Sequence, residues 1–206
     1  MRAVLRWWFI AVCAAVSSTS IFADGDAAAG KIKSALCQSC HGAAGKSVEP
    51  SIPNLAGQHA DYIRKQIYDF QIRNRIDPRM SPIADTLGNS QDLQDIAAYF
   101  SAQPIMRGTL GKNAQVQLGK TIYDTGIPAR SIGSCSECHG PNGKGSEQGM
   151  ALFPIIGGQN KAYLLKQMND FKKEQRNTDP SGVMPGLSKQ LKAEELDAIA
   201  EYLAGM

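Results

Sequence analysis

Apolar side chains recur at intervals of three or four residues through much of the chain, the spacing that gathers them on one face of a helix. The clearest example runs through Ile63, Ile67 and Phe70, with mostly polar residues between them. No run alternates between apolar and polar residues in the way that predicts a strand. The pattern therefore predicts an all-α protein. It places helices at about residues 28–40, 59–74, 114–123, 163–171 and 193–203, and a further one with Ser90 as its N-cap and Leu93, Ile96, Ala97 and Phe100 along it.

The same pattern occurs twice along the chain. A Cys-x-x-Cys-His-Gly segment at Cys37 recurs 98 residues later at Cys135, and a Pro-x-x-x-Gly-Gln segment at Pro53 recurs 101 residues later at Pro154. Further matches pair Tyr62, Gln66, Phe70, Arg75 and Met80 with Tyr163, Gln167, Phe171, Arg176 and Met184. The offset changes only where Gly, Pro, Ser and Asp cluster, as loops allow. We therefore predict two tandem domains, residues 24–104 and 105–206, joined near residues 101–112.

The first 23 residues have the composition of a secretory signal peptide. Arg2 and Arg6 precede an apolar run at residues 7–16, and Ala23 ends a stretch of mostly small residues. The alternative is a retained membrane anchor, but ten apolar residues fall short of the roughly 20 that a spanning helix needs. We predict cleavage near Ala23 and export to the periplasm.

The charge of the chain disfavours nucleic acid as a partner. The formal net charge is +3, and removing residues 1–23, which contain two arginines and no acid, leaves +1. A nucleic-acid-binding domain would carry a basic face. The predicted first domain has 8 basic and 9 acidic residues, and the second has 12 and 10, so the molecule is at most mildly dipolar.

The two Cys-x-x-Cys-His segments carry the candidate chemistry. This motif is the attachment signature of c-type haem, because two thiols on one helical turn can bond the two vinyl groups of a porphyrin while the following His ligates the iron. The alternatives are a redox dithiol, a four-cysteine zinc site and disulfides. None of them explains a His after each pair. We expect covalent haem at Cys37, Cys40, Cys135 and Cys138, with His41 and His139 as iron ligands.

A methionine is expected to supply the sixth iron ligand of each haem, as is typical of electron-transfer cytochromes. Met80 and Met184 match each other in the repeat, 39 residues after His41 and 45 after His139. Of the other methionines, Met168 aligns with an isoleucine, which favours a role in the core. His59 has an asparagine as its counterpart, so we predict a surface or capping residue there.

Together, these residues resemble the cytochrome c4 family of periplasmic dihaem electron carriers, built from two class I cytochrome c domains. The resemblance covers essentially all of the chain after residue 23. It implies that the carbonyl oxygens of Pro53 and Pro154 accept from the ring N–H of the ligating histidines, and that Leu55 and Ile156 pack on the porphyrins. It also implies that the two haem edges face each other, and that the partners are a quinol-oxidising complex upstream and a membrane-bound haem–copper oxidase downstream.

Three functions fit these residues in different degrees. A carrier needs both axial positions filled by protein, as the two Met residues allow, and no catalytic residue is assigned. A dihaem subunit of a larger oxidoreductase, such as a flavocytochrome sulfide dehydrogenase, would transfer electrons in the same way to a permanent partner. A dihaem peroxidase would need an exchangeable iron site with nearby acid–base groups, which the sequence does not offer. We also expect the two haems to differ, since the His-to-Met spacings are unequal.

Overall fold

The computed structural model describes residues 25–148 and 151–206, and within them the all-α prediction is confirmed. The predicted signal peptide with its cleavage point at Ala23 lies outside the described residues. The helices are α1 Ala27–Lys33, α2 Ala35–His41, α3 Ala60–Gln71, α4 Met80–Asp85, α5 Ser90–Ser101, α6 Ala114–Thr125, α7 Ser136–His139, α8 Lys161–Lys172, α9 Val183–Gln190 and α10 Ala193–Gly205. A short 3₁₀ turn spans Pro128–Arg130.

The apolar residues of the described chain form one core cluster around α3 and α5 and another around α6, α8 and α10. Phe100 and Ile96 are fully enclosed in the first cluster, and Tyr123 and Leu196 in the second. The segment between α5 and α6 lies against the C-terminus, where Gly108 N donates to Met206 O. Two cores joined by one such segment are compatible with the predicted domain boundary, which stays a prediction.

Each core is closed by a tight crossing of two helices. α1 crosses α5 at Gly30, where a Cβ atom would lie 1.9 Å from the carbonyl oxygen of Asp95. α6 crosses α10 at Gly119, where a Cβ atom would lie 2.0 Å from the carbonyl oxygen of Ala198. Real Cβ atoms do not approach an oxygen so closely, so only glycine allows these helices to touch backbone to backbone.

A small hairpin departs from the purely helical prediction. Strands β1 Ser146–Gln148 and β2 Ala151–Phe153 pair antiparallel in the second half, and β2 contacts α3 of the first half. The loop from His139 to Pro154 is three residues longer than the loop from His41 to Pro53. The extra length lets the loop fold back on itself, and three-residue strands are too short to show alternation in the sequence.

The helices also differ in detail from the sequence-based expectation. The single helix predicted at residues 28–40 is two helices, α1 and α2, which meet at Ser34. Asn89, not Ser90, caps α5, with its side chain accepting from Gln91 N. Helices α4 and α9 are not among the predicted helices, and each contains a proline. Pro82 and Pro185 occupy the first turn of their helices, where the missing N–H has no helical partner to lose. Within the described ranges no helix combines the length and apolar character needed to cross a bilayer.

Candidate functional site

A single cavity of about 620 Å³, lined by residues of both halves, contains the predicted chemistry. Its lining is mainly apolar, and its size is that of a cofactor pocket. Every site residue singled out from the sequence lines it, namely Cys37, Cys40, His41, Pro53, Leu55, Met80, Cys135, Cys138, His139, Pro154, Ile156 and Met184. Leu55 and Ile156 are half-buried and pack against the apolar core of their own half.

Helices α2 and α7 present the cysteines and histidines to this cavity. Cys37 and Cys40 lie three residues apart on α2, which puts both thiols on neighbouring positions of one face. His41 is the last residue of α2 and His139 the last of α7, and both are buried. Gly42 follows with φ 81° and Gly140 with φ 73°, so the chain turns away directly after each histidine.

Each histidine ring is fixed by a backbone carbonyl. His41 Nδ1 lies 2.8 Å from Pro53 O, and His139 Nδ1 lies 3.1 Å from Pro154 O. A carbonyl oxygen only accepts, so Nδ1 carries the proton and Nε2 keeps the lone pair that a metal requires. Burial lowers the pKa of both imidazoles, against the opposing effect of the carbonyl contacts. The rings are therefore neutral and suited to ligate iron.

The two predicted methionine ligands lie in the first turn of matching helices, α4 and α9. Asp77 Oδ1 accepts from Met80 N at 3.1 Å, and Asp179 Oδ2 accepts from Met184 N at 2.8 Å. Burial raises the pKa of both carboxyls, but hydrogen bonds that include these backbone N–H groups outweigh it, so the pKa of each is lowered. A carboxylate at a helix start satisfies otherwise unpaired N–H groups, which fixes the position of each methionine. The sequence analysis missed both acids, although the Asp77-Pro pair recurs as Asp179-Pro.

The rival interpretations of the cysteines find no support in the described residues. Cys37, Cys40, Cys135 and Cys138 form no disulfide there. No three His, Cys, Asp or Glu side chains of residues 25–148 and 151–206 gather as a metal ion would need. Burial raises the pKa of the Cys37 thiol, and raises that of Cys135 to about 11. A redox dithiol works through a thiolate of low pKa, so the donor set fits covalent haem better.

The remaining candidate ligands have other roles: His59 lies outside the cavity, and Met168, which does contribute to the cavity lining, belongs to the second core. His59 occupies the N-cap position of α3, and its Nε2 contacts Lys144 O at 3.1 Å instead of capping the helix or lining the cavity. Met168 is buried in the second core, as its alignment with an isoleucine predicted. Met106 is buried between the halves beside Ala56. Met150 lies outside the described residues.

The sequence analysis also missed a polar cluster that joins the two halves along the cavity wall. Arg75 donates to Gln66 of its own half and to Tyr163 and Gln167 of the other. Arg176 makes the matching set of bonds, to Gln167 of its own half and to Tyr62 and Gln66 of the other half. All of these residues belong to the repeat, but from the sequence they served only to align its two copies.

The two halves are not equivalent around their histidines. The ring of Phe153 meets His139 edge-on with centroids 6.3 Å apart, whereas the matching position in the first half is Ile52. The charges also differ, since Arg79 acts on His41 and Asp179 acts on His139. These differences agree with the expectation that the two sites have distinct properties.

Family models match the two halves of the chain separately, and known proteins match both halves together. Residues 25–100 match the family model of cbb3-type cytochrome c oxidase subunit III, and residues 116–206 match that of cytochrome c. The cytochrome c4 of Thiocapsa roseopersicina is 38% identical over 183 residues, covering 88% of this chain and 93% of that protein. The crystal structure of reduced cytochrome c4 from Pseudomonas stutzeri superimposes with a TM-score of 0.83 at 36% identity, covering 88% of this chain and 99% of that one. A thiosulfate dehydrogenase electron acceptor of Stutzerimonas stutzeri is 34% identical, covering 82% of this chain and 78% of that protein.

Proposed function

The chain belongs to the cytochrome c4 family, and on that premise we propose that it is a periplasmic carrier that passes single electrons towards a membrane-bound haem–copper oxidase. As a member of this family, it is a dihaem electron-transfer cytochrome with covalently bound haem c, and it is an electron carrier, not an enzyme. The haem iron supplies the one-electron couple. The periplasmic location and the oxidase are part of the proposal, as are the partners upstream and any peripheral contact with the membrane.

The proposal assigns the ligands by residue. Cys37 and Cys40 would hold one haem through thioethers, and His41 and Met80 would ligate its iron. Cys135 and Cys138 would hold the second haem in the same way, with His139 and Met184 as the iron ligands. The observation that supports this assignment occurs once in each half: a buried histidine Nδ1 donates to a proline carbonyl oxygen. This bond leaves each Nε2 available to bind a metal.

The function follows from what the ligands exclude. A histidine and a methionine on each iron would leave no position open to substrate, so these residues would hold the haem with little rearrangement through a one-electron change. The mainly apolar cavity wall keeps water from the haems. Thioether sulfur favours ferrous iron and so sets a potential suited to a late step of an electron-transfer chain.

Optical spectra of the purified protein test this proposal. We expect two haems per chain, a sulfur-to-iron charge-transfer band in the ferric form, and no change when carbon monoxide is added to the ferrous form. Reoxidation by membranes that contain a haem–copper oxidase should then be fast and cyanide-sensitive. A haem that binds carbon monoxide in the unmodified protein contradicts the assignment of its methionine.

A second candidate partner is an upstream dehydrogenase. The relative named as a thiosulfate dehydrogenase electron acceptor favours this alternative, in which the chain accepts electrons as a subunit or close partner of a larger oxidoreductase. The same alternative includes the dihaem subunit of a flavocytochrome sulfide dehydrogenase. Purification of the native protein separates the cases, because a subunit elutes with its dehydrogenase and a free carrier elutes alone.

A further inference from the structure

Two buried glutamines each form hydrogen bonds with the backbone of the opposite half. Gln58 Oε1 accepts from Ile155 N at 3.0 Å, and Gln58 Nε2 donates to Ile155 O at 2.9 Å. In the reverse direction, Gln159 Oε1 accepts from Asn54 N at 2.8 Å, and Gln159 Nε2 donates to Asn54 O at 2.9 Å. Both glutamines are 4% exposed. A glutamine of each half therefore bonds both the backbone N–H and the backbone C=O of one residue in the other half.

Each amide is also held by its own half, which fixes its orientation. Gln58 Oε1 accepts a second bond from His59 N, and Gln159 Oε1 accepts one from Asn160 N. An oxygen that faces two backbone N–H groups cannot be exchanged with the amide nitrogen without losing both bonds. The side chains are thus rigid acceptors aimed at the opposite half.

The bonded peptide groups are the ones that hold the histidines. Pro154 C=O and Ile155 N–H belong to one planar peptide unit. His139 Nδ1 donates to the oxygen of that unit, and Gln58 accepts from its nitrogen. In the other half, His41 Nδ1 donates to Pro53 O, and Gln159 accepts from the N–H of the same unit at Asn54.

This series of hydrogen bonds carries an electronic effect from the glutamine, through the peptide unit, to the histidine. An acceptor on the N–H of a peptide unit polarises its carbonyl and makes that oxygen a stronger acceptor. A stronger bond to Nδ1–H makes the imidazole a better electron donor, which stabilises ferric iron. We propose that Gln58 and Gln159 are positioning residues that each lower the reduction potential of the haem in the opposite half.

This inference rests on the proposed ligation by His41 and His139. It goes further by assigning cross-tuning between the halves to two named side chains. An interface role alone predicts a different behaviour, namely loss of stability with both haems affected alike or neither affected.

The test is a potentiometric titration of the holoprotein and of Gln58→Leu and Gln159→Leu. The two haems are assigned beforehand by the sulfur band that disappears in Met80→Ala or in Met184→Ala. Gln58→Leu should raise the potential of the second haem, with a several-fold change in its ferric-to-ferrous ratio at fixed potential, and leave the first haem unchanged. Gln159→Leu should raise the potential of the first haem only.

Gln103→Leu is the matched control, because the Gln103 side chain donates to Tyr99 O of its own half and its loss should shift neither potential. If a leucine variant does not accumulate, Gln58→Met fills similar space with an unbranched chain and removes the same acceptor. A shift in the same half, equal shifts in both halves or no shift would each overturn the inference. Absence of the sulfur band from the unmodified protein would instead overturn the ligation itself, and this inference with it.

Discussion

Arg75 Nη2 donates to the hydroxyl of Tyr163 at 3.0 Å across the boundary between the halves, and the repeat reverses this bond, with Arg176 donating to Tyr62 at 2.9 Å. Burial alone would raise the pKa of Tyr163, but the adjacent guanidinium groups of Arg75 and Arg176 lower it. The two arginines therefore place positive charge beside both haem sites and hold the halves together.

Removing one of these hydroxyls should weaken the contact between the halves. Tyr163→Phe leaves the Arg75 guanidinium with one partner fewer in a buried setting, at a cost of about 1–2 kcal/mol. Thermal unfolding of the holoprotein should show a lower Tm. Tyr68→Phe is the control, since Tyr68 is 56% exposed and the change should leave the Tm unaffected. An unchanged Tm for Tyr163→Phe contradicts a stabilising role of the bond.

Replacing either methionine that we propose as an iron ligand should open one haem only. In Met80→Ala the first haem should bind one carbon monoxide per chain, lose its sulfur band and fall in potential, because thioether sulfur favours ferrous iron. Met184→Ala should do the same at the second haem. Met168→Leu is the control, because Met168 lies in the core and the swap conserves volume. Carbon monoxide binding equal to that of the unmodified protein would count against either ligand.

The helix crossings should not tolerate a methyl group. Gly30→Ala and Gly119→Ala each bring a Cβ to about 2 Å from a backbone oxygen. The helices must separate, at a cost of about 2–3 kcal/mol, which corresponds to a Tm lower by roughly 5–10 °C in a protein of this size. Gly88→Ala meets nothing within 4 Å and serves as the control. A Tm within 1 °C of the unmodified protein, roughly the scale of a neutral surface change, would refute the close crossing.

Stability should fall at acid pH through Asp95. The hydrogen bond from Lys33, with help from Gln91 and Asp26 N, lowers the pKa of this carboxyl to about 2. A carboxyl whose pKa is lower in the folded chain stabilises the fold above its ordinary pKa of 3.8, and that stabilisation is lost between about pH 4 and pH 2.

Asp95→Asn removes the titrating group and provides the check. The variant should have a lower Tm at pH 7, and the difference from the unmodified protein should shrink as the pH falls from 4 to 2. Asp61→Asn is the control, because Asp61 pairs with Arg64 on the surface, where ion pairs contribute little. A Tm difference that stays constant over this pH range would rule out the assigned role of Asp95.

The sequence predicts elements whose signal is local and misses contacts that cross the molecule. The helix expected over residues 59–74 spans Ala60–Gln71, because its apolar face repeats within the segment. The same spacing cannot reveal that Gln58 bonds Ile155, since 97 residues separate them and only the folded chain brings them together. The predicted cap, Ser90, was one residue from the observed cap, Asn89, because asparagine and serine are both favoured at that position.

Part of the candidate site could be predicted because its chemistry fixes the spacing of the residues. The rest depends on geometry that the sequence does not show. Thioether attachment requires two cysteines and a histidine at fixed spacing, so His41 and His139 could be read from the motif. The carboxylates of Asp77 and Asp179 lie three and five residues before their methionines, with loops of different length between. Their roles depend on the helix starts that those loops create.

The reciprocal bonds from Gln58 to Ile155 and from Gln159 to Asn54 have the form of an isologous contact, in which one surface meets its own copy. The two halves are thus arranged like the protomers of a homodimer, but within one chain. In a true homodimer every substitution changes both sites at once. A single chain lacks that constraint, and its matching positions differ, since Asn54 bonds Gln159 and Ile155 bonds Gln58. One type of contact can thereby serve two haem sites that are altered one at a time.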